Sequence, residues 1–497
     1  MSMSDCETFK LAPGGTELMK GALPSVIAIL LSLGSEVSHA LTLPEFLDQV
    51  RSTHNGLTGA KKQADAANDK MAEANLLFRP SLFAQGTTAA DGKQSNPAML
   101  RYDRVEADKY SLGLAQQFSF GLQGKLYYQF ARTEYVNSSL PGLGAPEDYY
   151  DVNPTLELSM PLWGNGFGRT NRAQQSLIIF GNKAEEYASK AQLTVYEIEA
   201  ENAYWSLVAK REIVKTQERA LSSAEGILSY VRKKSGMRLG EDSDVLQAEA
   251  LVAARKLELR KSISEEHAAR KNFNAQRNLV SDEIPETLDP IPYLELSKLP
   301  PPAKRPSDRY DVLAAEAQTE AAVANAKLVE ERNKPTFDVF GSYAFNGRSY
   351  NSASDANSHV YGGDRGSQVI GIRLNVPLDL ASSSRARSGA RLSEIAQREQ
   401  YSYKQLAQEK DWALLGQMLQ DSKESLELAD KLVVAQKAKL NKEKVRFRQG
   451  RATTYQVLLF EQDQSQAEVI RTQIAAQLLT LRSGIKAYET SSAGKEQ

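Results

Sequence analysis

Apolar residues recur every seven positions along two parts of the chain. Trp412, Leu419, Leu426, Val433, Leu440 and Phe447 form one series, and Leu193, Ala200, Leu207, Val214, Leu221 and Leu228 form the other. A strict seven-residue repeat demands 3.5 residues per turn, so each series predicts a long helix wound left-handedly against its neighbours. Each then runs into one phrase. Val445-Arg446-Phe447-Arg448-Gln449-Gly450 and Val231-Arg232-Lys233-Lys234-Ser235-Gly236 both read Val-Arg, three residues, Gly. A glycine just past a periodic stretch marks a helix end. A second helix follows each turn, the later one carrying Ile470, Ile474, Leu478, Leu481, Ile485 and Tyr488 on one stripe. A helix from Arg385 to Gln449 would run roughly 98 Å at 1.5 Å per residue, well beyond the helices of ordinary globular domains.

Elsewhere the period is two. Tyr110, Leu112, Leu114, Phe118 and Phe120 alternate with polar or small residues, as do Leu126, Tyr128 and Phe130, and Leu156, Leu158 and Met160. In the second half Phe337, Val339, Tyr343 and Phe345 share one face, and Ile370, Ile372, Leu374 and Val376 alternate with Gly371, Arg373 and Asn375. Strict alternation means strands with one apolar and one polar face. Gly121 to Gly124 reads as a hairpin turn, and Gly142, Gly144 and Pro146 as a loop.

The order helix, strands, long helix, turn, helix occurs twice, so the chain is a tandem repeat. Residues 1–40 read as an N-terminal extension and signal peptide, and residues 41–284 as the first repeat. In that repeat a helix over 41–79 precedes strands over about 81–162, and the turn falls at about 232–243. Residues 285–307 form a connector containing seven of the 18 prolines. The second repeat covers 308–490, with strands over about 336–378 and the turn at about 446–453; 491–497 is a tail. Pro80 to Pro161 is 81 positions and Pro335 to Pro377 is 42, so the first strand block holds one extra hairpin. That hairpin either adds strands to the sheet or caps it. The turn between long helices reads as two residues longer in the first repeat.

Composition narrows the class. Charged residues are 25% and aromatics 8%, which suits long solvated helices better than one large core. The net charge of -1 gives no electrostatic case for nucleic acid. Met19-Lys20, the apolar run from Ala22 to Leu33 and Ser38-His39-Ala40 have the layout of a secretory signal, and Met19 is an alternative start. The one cysteine, Cys6, lies upstream of it. No later apolar run reaches the ~18–20 residues of a membrane helix, so membrane contact would need a closed barrel. His54, His267 and His359 share no ligand spacing, and no phosphate loop or nucleophile elbow is present. Gly164-Asn165-Gly166-Phe167-Gly168 reads as a strand-to-helix bend. No catalytic, cofactor-binding or metal-ligating set emerges, and the sequence does not read as an enzyme.

In this order the motifs resemble the TolC-type outer-membrane efflux proteins, over essentially the whole chain beyond residue 40. Leu158-Ser159-Met160-Pro161-Leu162-Trp163-Gly164, Ala203-Tyr204-Trp205-Ser206-Leu207 and Asp244-Val245-Leu246-Gln247-Ala248-Glu249 look like the first repeat of that family. Arg373 to Leu378 and Arg448-Gln449-Gly450 look like its second. The resemblance implies a mixed α+β membrane protein: a coiled-coil α-helical barrel continuous with a transmembrane β-barrel, closed by trimerisation. It implies a homotrimer in outer-membrane lipid that works with a periplasmic adaptor and an inner-membrane pump, in efflux or type I secretion. The alternative reading is a periplasmic coiled-coil adaptor or scaffold without a pore.

The resemblance also nominates residues. Arg232, Gly236, Gly240, Arg446, Arg448 and Gly450 are adaptor-contact candidates at the tip. Asp244, Tyr455 and Gln456 are candidates for the entrance gate. Some relatives place carboxylates after the second-repeat turn, where this chain has Tyr455, Gln456 and Leu459. Asp244 with Gln247, and Thr453 with Gln456, also fit helix-capping patterns. Phe337, Val339, Tyr343, Phe345, Ile370, Ile372, Leu374 and Val376 are lipid-facing candidates, with Arg373 and Asn375 toward the lumen.

Overall fold

The structure, a computed structural model, describes residues 40–93, 102–138, 148–237, 241–300, 304–362 and 365–489. The signal segment, the tail, Gly240, and the loop residues Gly142, Gly144 and Pro146 lie outside the described residues. The chain opens with α1 (Leu43–Thr53), α2 (Asn55–Lys70) and α3 (Glu73–Leu76). The pattern suggested one helix here. The break falls at His54, whose extended backbone ends α1 and whose Nδ1 accepts the Leu57 amide at 3.0 Å to cap α2.

Four strands follow: β1 (Ser81–Asp91), β2 (Arg104–Gln117), β3 (Gln123–Val136) and β4 (Tyr149–Trp163). Then come α4 (Arg169–Gly236) and α5 (Asp242–Gln276). The connector holds one short helix, α6 (Tyr293–Leu296). The second half runs α7 (Tyr310–Arg332), β5 (Thr336–Phe345), β6 (Gly347–Ser349), α8 (Ala353–Ser358), β7 (Gly366–Asn375), α9 (Leu380–Arg448) and α10 (Thr454–Gly484). All strands form one antiparallel sheet in the order β1-β2-β3-β4-β5-β7, with the short β6 against β4.

The two long helices have 68 and 69 residues, about 100 Å each at 1.5 Å per residue. α7 packs between α4 and α9, α10 packs on both, and α2 and α5 lie along α4. On α9 the predicted seam is the buried one: Leu419, Leu426, Leu440 and Phe447 are all inside. On α4 the buried stripe near the turn is Ile213, Ala220, Ile227 and Val231, one residue ahead of the predicted Val214, Leu221 and Leu228, which are half-buried. α4 has neighbours on several sides, so its apolar surface is wider than one heptad seam.

The main core lies midway along the helices. Phe46 stacks on Phe273 at 4.2 Å, and Tyr204, Leu207, Leu296, Leu426, Leu478 and Leu479 close around them. Leu41 forms a parallel bridge with Leu288 of the connector. The Tyr204 hydroxyl donates to the Leu41 carbonyl at 2.7 Å and accepts from the Asp289 amide at 3.1 Å. One buried phenol thus ties the start of the first repeat to the connector.

Five residues separate the end of α4 from the start of α5, and five separate α9 from α10. The two extra residues expected in the first turn are instead absorbed because α4 continues through Gly236, whereas α9 stops two residues before Gly450. The strand-to-helix bend at 164–168 is built from positive φ angles at Gly164, Asn165, Phe167 and Gly168. The Asn165 side chain accepts the Thr170 amide at 2.8 Å and so caps α4.

Candidate functional site

The sheet carries one apolar face without a break. Leu82 lies opposite Leu114, Leu114 opposite Leu126, Leu126 opposite Leu156, and Leu156 opposite Tyr343. Val339 lies opposite Ile372 and Phe337 opposite Leu374. Tyr110, Leu112, Tyr128, Leu158, Phe345 and Ile370 share the same face by strand alternation. Most of these side chains stay exposed in the single chain, Ile370 at 83% and Ile372 at 70%, while Phe337 and Val339 are half-buried. Soluble monomers rarely show an apolar patch of this extent.

A bulge shapes one end of that face. The pairing of β4 with β5 shifts between Pro161 and Trp163, leaving Leu162 as the extra residue. The slip turns Trp163 onto the apolar side, in the row of Phe337 and Leu374. At the other end, Tyr110, Phe130 and Tyr150 stack in a row with centroids 6.2 Å apart. Beyond that row the face becomes charged, with ion pairs Arg104–Glu106 at 2.6 Å and Arg132–Glu134 at 3.2 Å. An apolar band with aromatics at both margins is the pattern of a membrane barrel wall. β5 and β7 have 10 residues each, within the 9–11 of a tilted spanning strand.

The opposite face is polar. Gln85 pairs with Ser111, Ser111 with Gln129, and Gln129 with Asn153. The Tyr127 hydroxyl donates to Glu157 at 2.8 Å, and Arg373 lies 5.1 Å over the Phe340 ring. Arg373 and Asn375 therefore stand on the side opposite Ile370, Ile372 and Leu374. Val376 follows just past β7 and is exposed.

At the far end of the helices the turns are held by a second core of Ile227, Val231, Leu440, Phe447, Val457 and Leu458. Gly450 has φ +73, the Gly450 amide donates to Phe447 and the Arg451 amide to Arg446. That is a left-handed glycine closing a helix by the Schellman pattern. Gly236 differs: it is the last residue of α4 and needs no unusual φ. Arg232 bonds Glu249 of α5 at 2.6 Å. Arg446 bonds Glu443 at 3.1 Å and the Arg451 carbonyl at 3.3 Å. Arg448 reaches back to the Lys444 carbonyl at 3.4 Å.

Thr453 and Gln456 form a reciprocal capping box at the start of α10, and Tyr455 projects into solvent, 61% exposed. Asp244 does not cap α5. The cap position is Glu241, and Asp244 lies in the first turn with its own amide bonded to the Glu241 carbonyl at 3.1 Å. Sequence reasoning missed the Trp163 bulge. It also missed α8, whose Ala356 packs with Val360 on Val152 of the apolar face. The period-two pattern breaks at the bulge, and the short polar segment of α8 carries no periodicity.

Among the described residues no helix is long and apolar enough to cross a membrane. The structure is similar to solved outer-membrane channels. The outer-membrane channel OprN matches with TM-score 0.61 and 18% identity over 90% of this chain and 89% of that one. The outer membrane protein VceC from Vibrio cholerae matches at 0.60 and 15% over 89% and 94%. The Campylobacter jejuni CmeC outer membrane channel matches at 0.59 and 14% over 90% and 85%. The fold is that of the TolC-type outer-membrane channels. No protein-family model matches the sequence, and no curated protein matches it either. The likeness therefore rests on arrangement rather than on shared residues.

Proposed function

We propose that the protein is the outer-membrane exit duct of a tripartite efflux or type I secretion system. In this reading it is a homotrimer that conducts substrate passively, receives it through a periplasmic adaptor and an inner-membrane pump, and does no chemistry. One observation carries the reading: an apolar-faced sheet, too narrow to close alone, joins helices of about 100 Å through short bends at Gly164–Gly168 and after β7. Apolar residues on one face suit lipid and polar residues on the other suit a water-filled lumen. A helical scaffold without a pore would leave the exposed band from Leu82 to Leu374 without a purpose. Fractionation of cells, mass-determining light scattering in detergent and conductance in a planar bilayer test the proposal. A trimer of the membrane fraction that conducts ions is expected; a soluble monomer would overturn it.

A further inference from the structure

The sheet ends in β1 and β7, each with one neighbour among the described residues. An unpaired edge cannot face hydrocarbon, and six long strands are fewer than the eight of the smallest barrels. Among the described residues no further strand is left to pair with either edge, which points to a second copy. β4 runs into α4 and β7 into α9, so β7 points toward the helices while β1 points away from them. Edge to edge in two copies, β1 and β7 are antiparallel, like every other pair in the sheet.

The β2–β3 hairpin stands in the wall by three criteria. Its register with β1 and β4 is unbroken, from Ser81 opposite Ala115 to Asp91 opposite Val105 on one side and from Gln123 opposite Ser159 to Thr133 opposite Tyr149 on the other. Its outward residues Tyr110, Leu112, Leu114, Leu126 and Tyr128 continue the apolar band and are exposed. Its turn lies at the helix end of the sheet, docked on the bend before α4: the Asn171 side-chain amide donates to the Phe118 carbonyl at 3.3 Å. A cap would sit at the opposite end.

We infer that β1 of one copy pairs with β7 of the next and that each copy contributes six spanning strands, so three copies close an eighteen-stranded barrel. The inference rests on the channel reading above. The test uses the full chain with Cys6→Ser, expressed in outer membranes. Ala84→Cys or Gly86→Cys on β1 is combined with Gln368→Cys or Ile370→Cys on β7 and oxidised with copper phenanthroline. At least one β1–β7 combination should give linked chains up to the trimer, while Tyr128→Cys on β3 with Ile370→Cys gives none. Spin labels at Leu112→Cys and Leu126→Cys should collide with oxygen and be shielded from a water-soluble nickel complex. Cross-linking through β3, absence of any β1–β7 link in assembled channels, or labels open to nickel would overturn the inference. Failure of the channel reading would look different, as loss of membrane association and conductance in the unmodified chain.

Discussion

Gly168 approaches Ser119 so closely that a β-carbon on it would lie 2.0 Å from the Ser119 carbonyl oxygen. Its φ of +76 is in the left-handed region, where other residues cost roughly 1–2 kcal/mol. The contact seats the β2–β3 turn on the bend that leads into α4. Gly168→Ala should lower the melting temperature of the assembled protein and loosen that hairpin. Gly166→Ala is the control, because nothing lies within 4 Å of its position and its φ is ordinary. Melting followed by loss of oligomer on a gel distinguishes them; equal stability of both would refute the docking.

Tyr204→Phe removes one hydroxyl that serves both the Leu41 carbonyl and the Asp289 amide. Losing a buried hydrogen-bond partner costs about 1–3 kcal/mol. Burial, outweighing the Asp289 amide, pushes the Tyr204 phenol up to about 12. The folded state thus holds its proton more tightly than the unfolded chain, whose phenol titrates near 10. The contribution of Tyr204 is therefore complete below about pH 10 and is lost as pH rises toward 12. Thermal melts at pH 8 and pH 11 should show a gap between wild type and variant that narrows at the higher pH.

These residues also show what could be read from the sequence. The alternation through Leu126, Tyr128 and Phe130 and the seam through Leu419 and Leu426 were legible because each face has one environment. The first-repeat turn was not. Gly236 and Gly450 occupy the same place in the shared phrase, yet only Gly450 takes a positive φ, and helix length rather than the glycine decides where α4 stops. The strand block was placed from residue 81, but the faces of β1 were hidden because Ala84, Gly86, Thr88 and Ala90 offer little apolar contrast with Gln85, Thr87 and Ala89. On α4 the predicted Ala200 and Leu207 are buried, but near the turn the stripe was displaced by one residue because several helices pack there. Asp244 matched a capping pattern, but Glu241 holds that position.

The two tip glycines separate into different classes of variant. Gly236→Ala lies in a helix with open space around it and should stabilise by up to about 1 kcal/mol. Gly450→Ala must hold φ +73 and should destabilise by roughly 1–2 kcal/mol. A bulky residue at Gly450 that leaves trimers intact should block export if the turn meets an adaptor. Normal export by such trimers would limit Gly450 to closing α9.

The faces of β7 predict an asymmetry between neighbours. Ile372 lies in the apolar row with Val339, and Arg373 on the other side with Phe340. In a membrane barrel a charge on the lipid-facing side near the midplane costs about 2–4 kcal/mol, so the proposed function sets these two positions apart. Ile372→Arg should reduce the yield of assembled channel in the outer membrane far more than Arg373→Ile. Equal yields would refute the assignment of the faces.

Asp244 gives the sharpest test of the entrance. It sits in the first turn of α5, where a negative charge gains roughly 0.3–1 kcal/mol from the helix dipole. Asparagine keeps the shape and loses the charge, and because Glu241 holds the cap, Asp244→Asn should cost no more than that amount. If the three copies of Asp244 face the axis of a narrowing, they raise the local cation concentration, as charged rings do in pores. Gln456, tied into its box with Thr453, adds no charge there. The reversal potential of single channels in a salt gradient should then move toward zero in Asp244→Asn, with melting nearly unchanged. An unchanged potential would leave the carboxylate as a partner of the α5 dipole and nothing more.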